Sequence, residues 1–234
     1  RLKPGHHTVE TFYLDKDDLP EADSGTRLWG ANYEYAIGED TTLGHFVRDD
    51  LELFLTAARK QGIPLVIGSA GDTGSNRGVD EFVSIIKELA LEHRIPRFKI
   101  GYFYSELPKE LLRSKVREGK ELIGLGGFPN LTEAEIDQAT RIVAVAGVHP
   151  FLKLLDMGTD VIIAGRCGDI SFTAGPCIHH GFPEPLAYHM GKMIECASLV
   201  AEPFMGKETI VGTISHEDIR ITPYHPQQRC TIAS

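Results

Sequence analysis

The sequence has no excess of basic residues and no long apolar run. Its 234 residues include 33 acidic and 24 basic side chains, which gives a formal net charge of −9 at pH 7. Surfaces that bind nucleic acid or anionic membranes are basic, so this charge argues against both partners. No apolar run approaches the roughly 20 residues of a membrane-spanning helix, and RLKPGHHTVE at the start lacks the apolar centre of a signal peptide. We therefore expect a cytoplasmic protein without nucleic-acid or membrane partners.

Paired cysteines are also missing. The chain has four cysteines, at Cys167, Cys177, Cys196 and Cys230. None forms a C-x-x-C pair and their spacings match no zinc framework, so we predict reduced thiols. His189, Met193 and Cys196 share one face at helical spacing, but no His-x-x-x-His pattern completes a metal site, so we predict none. Cys167 has no paired base, and we expect an inert buried thiol there rather than a nucleophile.

A strand, a glycine-rich turn and an amphipathic helix are predicted in Pro64–Gly78 and the residues after it. The apolar run Leu65–Ile67 ends at Gly68, and from Val79 apolar residues recur every three or four positions. In open α/β sheets such a turn lies at the carboxyl edge, where ligands bind, and its free N–H groups favour anions. Strand and helix patterns alternate through residues 46–201. We predict an α/β fold with a mainly parallel sheet and helices on both faces, a Rossmann-like three-layer architecture.

The patterns divide the chain into three parts. Residues 1–45 are predicted to be an irregular N-terminal segment with one strand at Thr8–Leu14. Residues 46–203 are predicted to form the α/β domain, which includes a buried strand at Arg141–Gly147. Residues 204–234 alternate in hydrophobicity on both sides of HED, which predicts a β-hairpin. That this stretch is also the start of a truncated C-terminal part is implied only by the family resemblance given below.

The glycine-rich turn is the first candidate binding site. Its glycines let a ligand approach the main chain, and its hydroxyls offer hydrogen bonds. The candidate substrate-binding residues are Ser69, Gly71, Asp72, Thr73, Gly74 and Ser75. The turn matches neither the Walker pattern nor G-x-G-x-x-G. The alternative is a plain strand-to-helix turn in which Asp72 caps the helix.

Charged residues follow other predicted strands at the same edge of the sheet. Arg166 and Asp169 follow DVIIAG, where Arg166 could hold a carboxylate or phosphate and Asp169 could act as a general base. His149 follows RIVAVAG, and Glu106 follows the strand that ends near Tyr104. We predict Asp169, His149 and Glu106 as catalytic residues. Structural alternatives remain open for each: an Arg166–Asp169 ion pair, a helix-capping histidine and a solvated glutamate.

The stretch DVIIAGRCGDISFTAGPCIHHGFPEPLAYHMGKMIECASLVAEP carries a family pattern. It contains a strand, Gly-Arg-x-x-Asp, a small-residue helix and a helix with Gly-Lys, two apolar residues and Glu-Cys. The matching residues are Gly165, Arg166, Asp169, Gly191, Lys192, Glu195 and Cys196. Further matches are Tyr104-Ser105-Glu106, Gly147-x-x-Pro150 and Arg229-Cys230-Thr231. Over roughly residues 45–234 the sequence resembles the acyclic terpene utilisation AtuA family.

The resemblance implies a catabolic enzyme of branched acyclic terpenoids and related acids. Such an enzyme would act on a branched-chain carboxylate or acyl-CoA by lyase or hydratase chemistry. The sequence identifies no cofactor, and coenzyme A enters only as part of the substrate. We further expect a homo-oligomer, with a small partner subunit in some assemblies. One alternative is a non-catalytic ligand-binding or assembly subunit of a larger complex. A weaker one is a hydrolase using Ser69 or Cys167, neither of which lies in a Gly-x-Ser-x-Gly elbow.

Overall fold

A computed structural model describes residues 7–11, 45–71, 73–195, 197–204 and 209–232. The helices in these ranges are α1 (His45–Gln61), α2 (Asn76–Glu92), α3 (Lys109–Arg117), α4 (Glu133–Gln138), α5 (His149–Asp156), α6 (Asp169–His179) and α7 (Glu184–Ile194), with a 3₁₀ turn at Ala197–Val200. The strands are β1 (His7–Thr11), β2 (Leu65–Ile67), β3 (Ile100–Phe103), β4 (Val161–Ala164), β5 (Ile210–Ile214) and β6 (Ile219–Pro223). Apart from β1 and the first residue of α1, the predicted irregular segment 1–45 lies outside the described residues.

The centre of the α/β fold is a parallel sheet with the strand order β2-β4-β3. Val161 of β4 pairs with Leu65 of β2 on one side and with Ile100 of β3 on the other. All four residues of β4 are fully buried, which explains why DVIIAG reads as a continuous apolar run rather than an alternating one. The predicted α/β fold class is confirmed.

Helices cover both faces of the parallel sheet. Successive side chains of a strand point to opposite faces, and β4 shows this directly. Val161 and Ile163 pack in a cluster with residues of α1 and α2, including the fully buried Ile86. Ile162 packs in a second cluster with Phe151 of α5 and with Phe172 of α6. This gives the three layers that the alternation of strands and helices predicts.

A second sheet is antiparallel and has the order β1-β5-β6. β5 and β6 form the hairpin predicted around HED, with Ile214 paired to Ile219. Ile210 and Ile214 of β5 belong to the same buried cluster as Met190 of α7. Gly212 allows β5 and α7 to pack closely, because a Cβ at this position would lie 2.8 Å from the sulfur of Met190.

The predicted buried strand at Arg141–Gly147 is wrong. The segment forms only isolated bridges, antiparallel between Val143 and Glu106 and parallel between Ala146 and Cys167. Both partners come just after the ends of β3 and β4, so the segment crosses the carboxyl edge of the sheet instead of joining it. Its middle residues are exposed. An apolar run alone does not distinguish such a crossing from a strand.

The buried face of α2 is the first target for a stability test. Ile86 is fully buried, whereas Leu91 near the end of the same helix is 81% exposed. Ile86→Ala is expected to lower the free energy of unfolding by about 2–5 kcal/mol, because it leaves a cavity against the sheet. Leu91→Ala is expected to change it by less than about 0.5 kcal/mol. Urea denaturation measures both, and equal losses would contradict this packing.

Candidate functional site

The glycine-rich turn connects the end of β2 to the first turn of α2. Ser75 is the N-cap of α2, and its buried Oγ accepts a hydrogen bond from the N–H of Gly78 at 3.0 Å. Its hydroxyl is therefore part of the helix cap. Thr73 is also buried, and its N–H donates to the carbonyl of Gly71 at 2.8 Å. Asp72 lies outside the described residues.

Gly74 and Arg166 join the two principal candidate loops. The N–H of Arg166 donates to the carbonyl oxygen of Gly74 at 2.9 Å. A Cβ at Gly74 would lie 2.2 Å from that nitrogen, and the φ of Gly74 is +67°. Both the close approach and the left-handed conformation therefore require glycine here. The side chain of Arg166 is half-buried beside this contact.

Ser69 makes a second connection between the same loops. Its Oγ accepts a hydrogen bond from the N–H of Cys167 at 3.3 Å and lies 3.4 Å from the Cys167 carbonyl oxygen. Burial raises the pKa of the Cys167 thiol, and its hydrogen bonds with Ser69 oppose this. A buried thiol that keeps its proton is a poor nucleophile. Cys167 is fully buried, which supports the inert thiol over the nucleophile.

Ser105, just after β3, and Ala146, in the segment 141–147 that crosses the carboxyl edge, both contact the loop after β4. Ser105, which is buried, donates from its Oγ to the carbonyl oxygen of Arg166 at 2.9 Å. The N–H of Ala146 donates to that oxygen at 3.1 Å, and the N–H of Gly168 donates to the carbonyl of Ala146 at 2.9 Å. Four separate loops therefore converge on the main chain around Arg166, as the sequence predicts for the carboxyl edge of the sheet.

Glu106 is held in place by the start of α2. Its Oε1 accepts a hydrogen bond from the N–H of Asn76 at 2.8 Å and lies 3.5 Å from Nε of Arg141. The N–H of Glu106 in turn donates to Oδ1 of Asn76 at 3.4 Å. A free N–H at the first turn of a helix favours anions, and here a carboxylate of the chain itself occupies it.

His149 and Asp169 are the first residues of α5 and α6, and both are exposed. The hydrogen bond between Gly168 and Ala146 brings the two chain segments that lead into these helices together. Val148, rather than His149, occupies the cap position of α5. The charges of Asp169 and Arg166 act in opposite directions on the pKa of the nearby Cys167 thiol, although less strongly than burial does. Both charges therefore lie close to the end of β4.

Sequence reasoning missed three residues at this edge: Asn76, Arg141 and Asp80. The hydroxyl of Tyr104, just after β3, donates a hydrogen bond to the Asp80 carboxylate in the first turns of α2. This bond raises the pKa of Tyr104 to about 12. The position of Asn76 directly after a capping serine is the signal that could have identified it. No neighbouring residue in the sequence identifies Arg141 as part of the site, because its partner Glu106 is 35 positions earlier in the chain.

Within the part of the chain that the structure describes, no group of three or more His, Cys, Asp or Glu side chains could hold a metal ion. No helix there is both long enough and apolar enough to cross a membrane.

Comparison with known proteins gives one match. The sequence model of one protein family, described as acyclic terpene utilisation family protein AtuA, matches residues 34–219 of the chain. The matched residues include the parallel sheet and all four converging loops. No curated protein and no solved structure matches the chain.

The contact at Gly74 can be separated from simple backbone strain. Gly62 has the same φ of +67° but open space where a Cβ would lie. Gly62→Ala is expected to cost about 1–2 kcal/mol, from the left-handed conformation alone. Gly74→Ala is expected to cost more, because its Cβ would collide with the main chain of Arg166. Chemical denaturation compares the two variants, and equal costs would mean that the two loops are not in contact.

Proposed function

Because the chain belongs to the acyclic terpene utilisation AtuA family, we propose that it is a catabolic enzyme acting on a branched-chain carboxylate or acyl-CoA. The proposed chemistry is that of a lyase or hydratase at the carboxyl edge of the parallel sheet. Family membership indicates the role in acyclic terpene utilisation, and the reaction is our proposal. Its main support is the contact between Arg166 and the glycine-rich turn, which brings a cationic residue and the main chain of the turn together at one edge of the sheet.

The proposal gives each group at this edge a task. Arg166 binds the carboxylate or the phosphates of the substrate, because a guanidinium holds such anions through two hydrogen bonds. Lyase and hydratase reactions next to a carbonyl pass through an enolate-like oxygen, which N–H groups of the turn would stabilise. The contacts of the Gly74 carbonyl and of Ser69 Oγ hold the turn against the loop after β4, so N–H groups of the turn would need little rearrangement during the reaction.

Asp169 and His149 are the proposed acid and base. Both start helices at the carboxyl edge and both are exposed, so a substrate could reach them. Glu106 takes a different part in this proposal from the one that the sequence predicts. Its carboxylate already accepts a hydrogen bond from Asn76 and lies close to Arg141, so it holds the turn in position.

A non-catalytic ligand-binding or assembly subunit is the second candidate. The observation in its favour is that Glu106 satisfies the N–H of Asn76 at the start of α2. A helix start that is already neutralised gives less stabilisation to a developing negative charge. Such a subunit would bind an acyl-CoA without converting it.

The test is turnover of 3-methylbut-2-enoyl-CoA by Arg166→Ala, followed by mass spectrometry of the products. The matched control is Arg97→Ala, an exposed arginine that precedes β3 and so lies toward the opposite edge of the sheet. Arg166→Ala is expected to lower kcat/KM by at least about 30-fold, through loss of the charged hydrogen bonds. Arg97→Ala should stay within about twofold of the wild type.

Two results would count against the enzyme. Activity of Arg166→Ala near that of the wild type would remove the anion-binding role of Arg166. Tight binding of the thioester by the wild-type protein, without any product, would favour the non-catalytic subunit.

A further inference from the structure

Ser69 lies in a bulge that follows β2. The N–H of Leu65 donates to the carbonyl of Asp160, and the N–H of Ala70 donates to the carbonyl of Ala164. Between these two bonds the chain advances by five positions on the β2 side and by four on the β4 side. One extra residue is therefore inserted before Ala70, where Ser69 lies. A bulge turns a side chain away from the direction that a regular ladder would give it.

The backbone of Ser69 also has a left-handed conformation. Within the part of the chain that the structure describes, the non-glycine residues with a positive φ are Ser69, at +45°, and Arg94, at +50°. Arg94 directly follows the C-cap of α2, where this conformation commonly ends a helix. Ser69 follows a strand and has no such reason for it. Residues held in this way cluster at ligand-binding sites, because the surrounding structure must oppose the preference of their own backbone.

Neighbouring groups fix the direction of the Ser69 side chain. On one side the turn lies against α6, because a Cβ at Gly68 would be 2.5 Å from Cδ1 of Phe172. Oγ of Ser69 lies against the loop after β4, where it accepts a hydrogen bond from the N–H of Cys167 at 3.3 Å. Cys167 directly follows Arg166. The hydroxyl is therefore held next to the main chain of the proposed anion-binding residue.

The hydrogen of the Ser69 hydroxyl makes only long contacts within the described residues. Oγ lies 3.4 Å from the carbonyl oxygen of Cys167 and 3.6 Å from its sulfur, whereas a good O–H···O hydrogen bond is about 2.5–3.0 Å long. A ligand oxygen can replace these contacts at small cost, and the half-buried Ser69 is open to it. The N–H that Oγ accepts also polarises the O–H bond, which makes the hydroxyl a better donor.

We propose that the Ser69 hydroxyl donates a hydrogen bond to the carbonyl oxygen of the bound thioester, and that this bond strengthens as the oxygen gains negative charge. Ser69 is then a catalytic residue, and Cys167 is a positioning residue that orients it through its N–H. The inference rests on the proposed function, because it concerns the same reaction. It assigns the oxyanion to a side-chain donor in addition to the N–H groups of the turn.

Two variants of Ser69 separate the hydroxyl from the backbone conformation. Ser69→Ala removes the hydroxyl and keeps the Cβ, whereas Ser69→Gly also relieves the left-handed conformation. The matched control is Arg94→Gly, which relieves the same conformation at an exposed residue outside the four converging loops. Circular dichroism of the full chain would verify that all three variants fold.

The kinetic test is turnover of 3-methylbut-2-enoyl-CoA. Ser69→Ala is expected to lower kcat by about 100-fold, the usual loss when one donor to a developing oxyanion is removed. KM should stay within about threefold of the wild type, because the bond is strongest in the transition state. Arg94→Gly should leave kcat within about twofold of the wild type. A kcat of Ser69→Ala near that of the wild type would overturn the inference.

Infrared spectroscopy of the bound thioester, isotope-labelled at its carbonyl carbon, detects the proposed bond without turnover. A hydroxyl that donates to a carbonyl lowers its stretching frequency. Both Ser69 variants should therefore show a higher frequency than the wild type, and Arg94→Gly should not. Loosening of the loop alone would change Ser69→Gly and spare Ser69→Ala. A change confined to Ser69→Gly, or an unchanged frequency in both variants, would overturn the inference.

Failure of the proposed function gives a different pattern. The wild type would then bind the thioester and form no product, while its carbonyl frequency would still differ from that of Ser69→Ala. Failure of the inference alone would leave product formation by the wild type, with Ser69→Ala equal to it in kcat and in carbonyl frequency. A wild type that gives no bound carbonyl signal would overturn the inference together with the proposed function.

Discussion

The hydrogen bond between the N–H of Arg166 and the carbonyl of Gly74 is the contact on which the site depends. It joins the loop after β2 to the loop after β4 at a point where no side chain fits between them. The carbonyl of Arg166 accepts hydrogen bonds from Ser105 and Ala146, so both the N–H and the carbonyl of Arg166 make hydrogen bonds. The main chain at Arg166 is therefore held by neighbouring loops, which fixes the point from which its side chain extends.

Glu106 shows how the fold uses a carboxylate to organise this edge. Its Oε1 accepts the first-turn N–H of α2 through Asn76 and lies close to Arg141 of the crossing segment. One side chain thus connects the end of β3, the start of α2 and the segment 141–147 that crosses the carboxyl edge of the sheet.

Features set by neighbours in sequence were predictable. The buried run of β4 and the hairpin around HED form as the sequence predicts. Contacts between distant residues were not predictable, because periodicity reports only local structure. Glu106 and Asn76 are 30 positions apart, and Ser69 and Cys167 are 98 apart. The prediction of a strand at residues 141–147 was wrong for the same reason, because the apolar residues of this segment cover an edge that other strands create.

Amide hydrogen–deuterium exchange with and without saturating 3-methylbut-2-enoyl-CoA tests the central claim most directly. If the carboxyl edge of the parallel sheet is the binding site, the ligand should slow exchange in peptides that cover residues 68–75 and 165–169. Peptides from β5 and β6, which lie in the other sheet, should be unchanged. Slower exchange confined to β5 and β6, with residues 68–75 and 165–169 unaffected, would contradict the account.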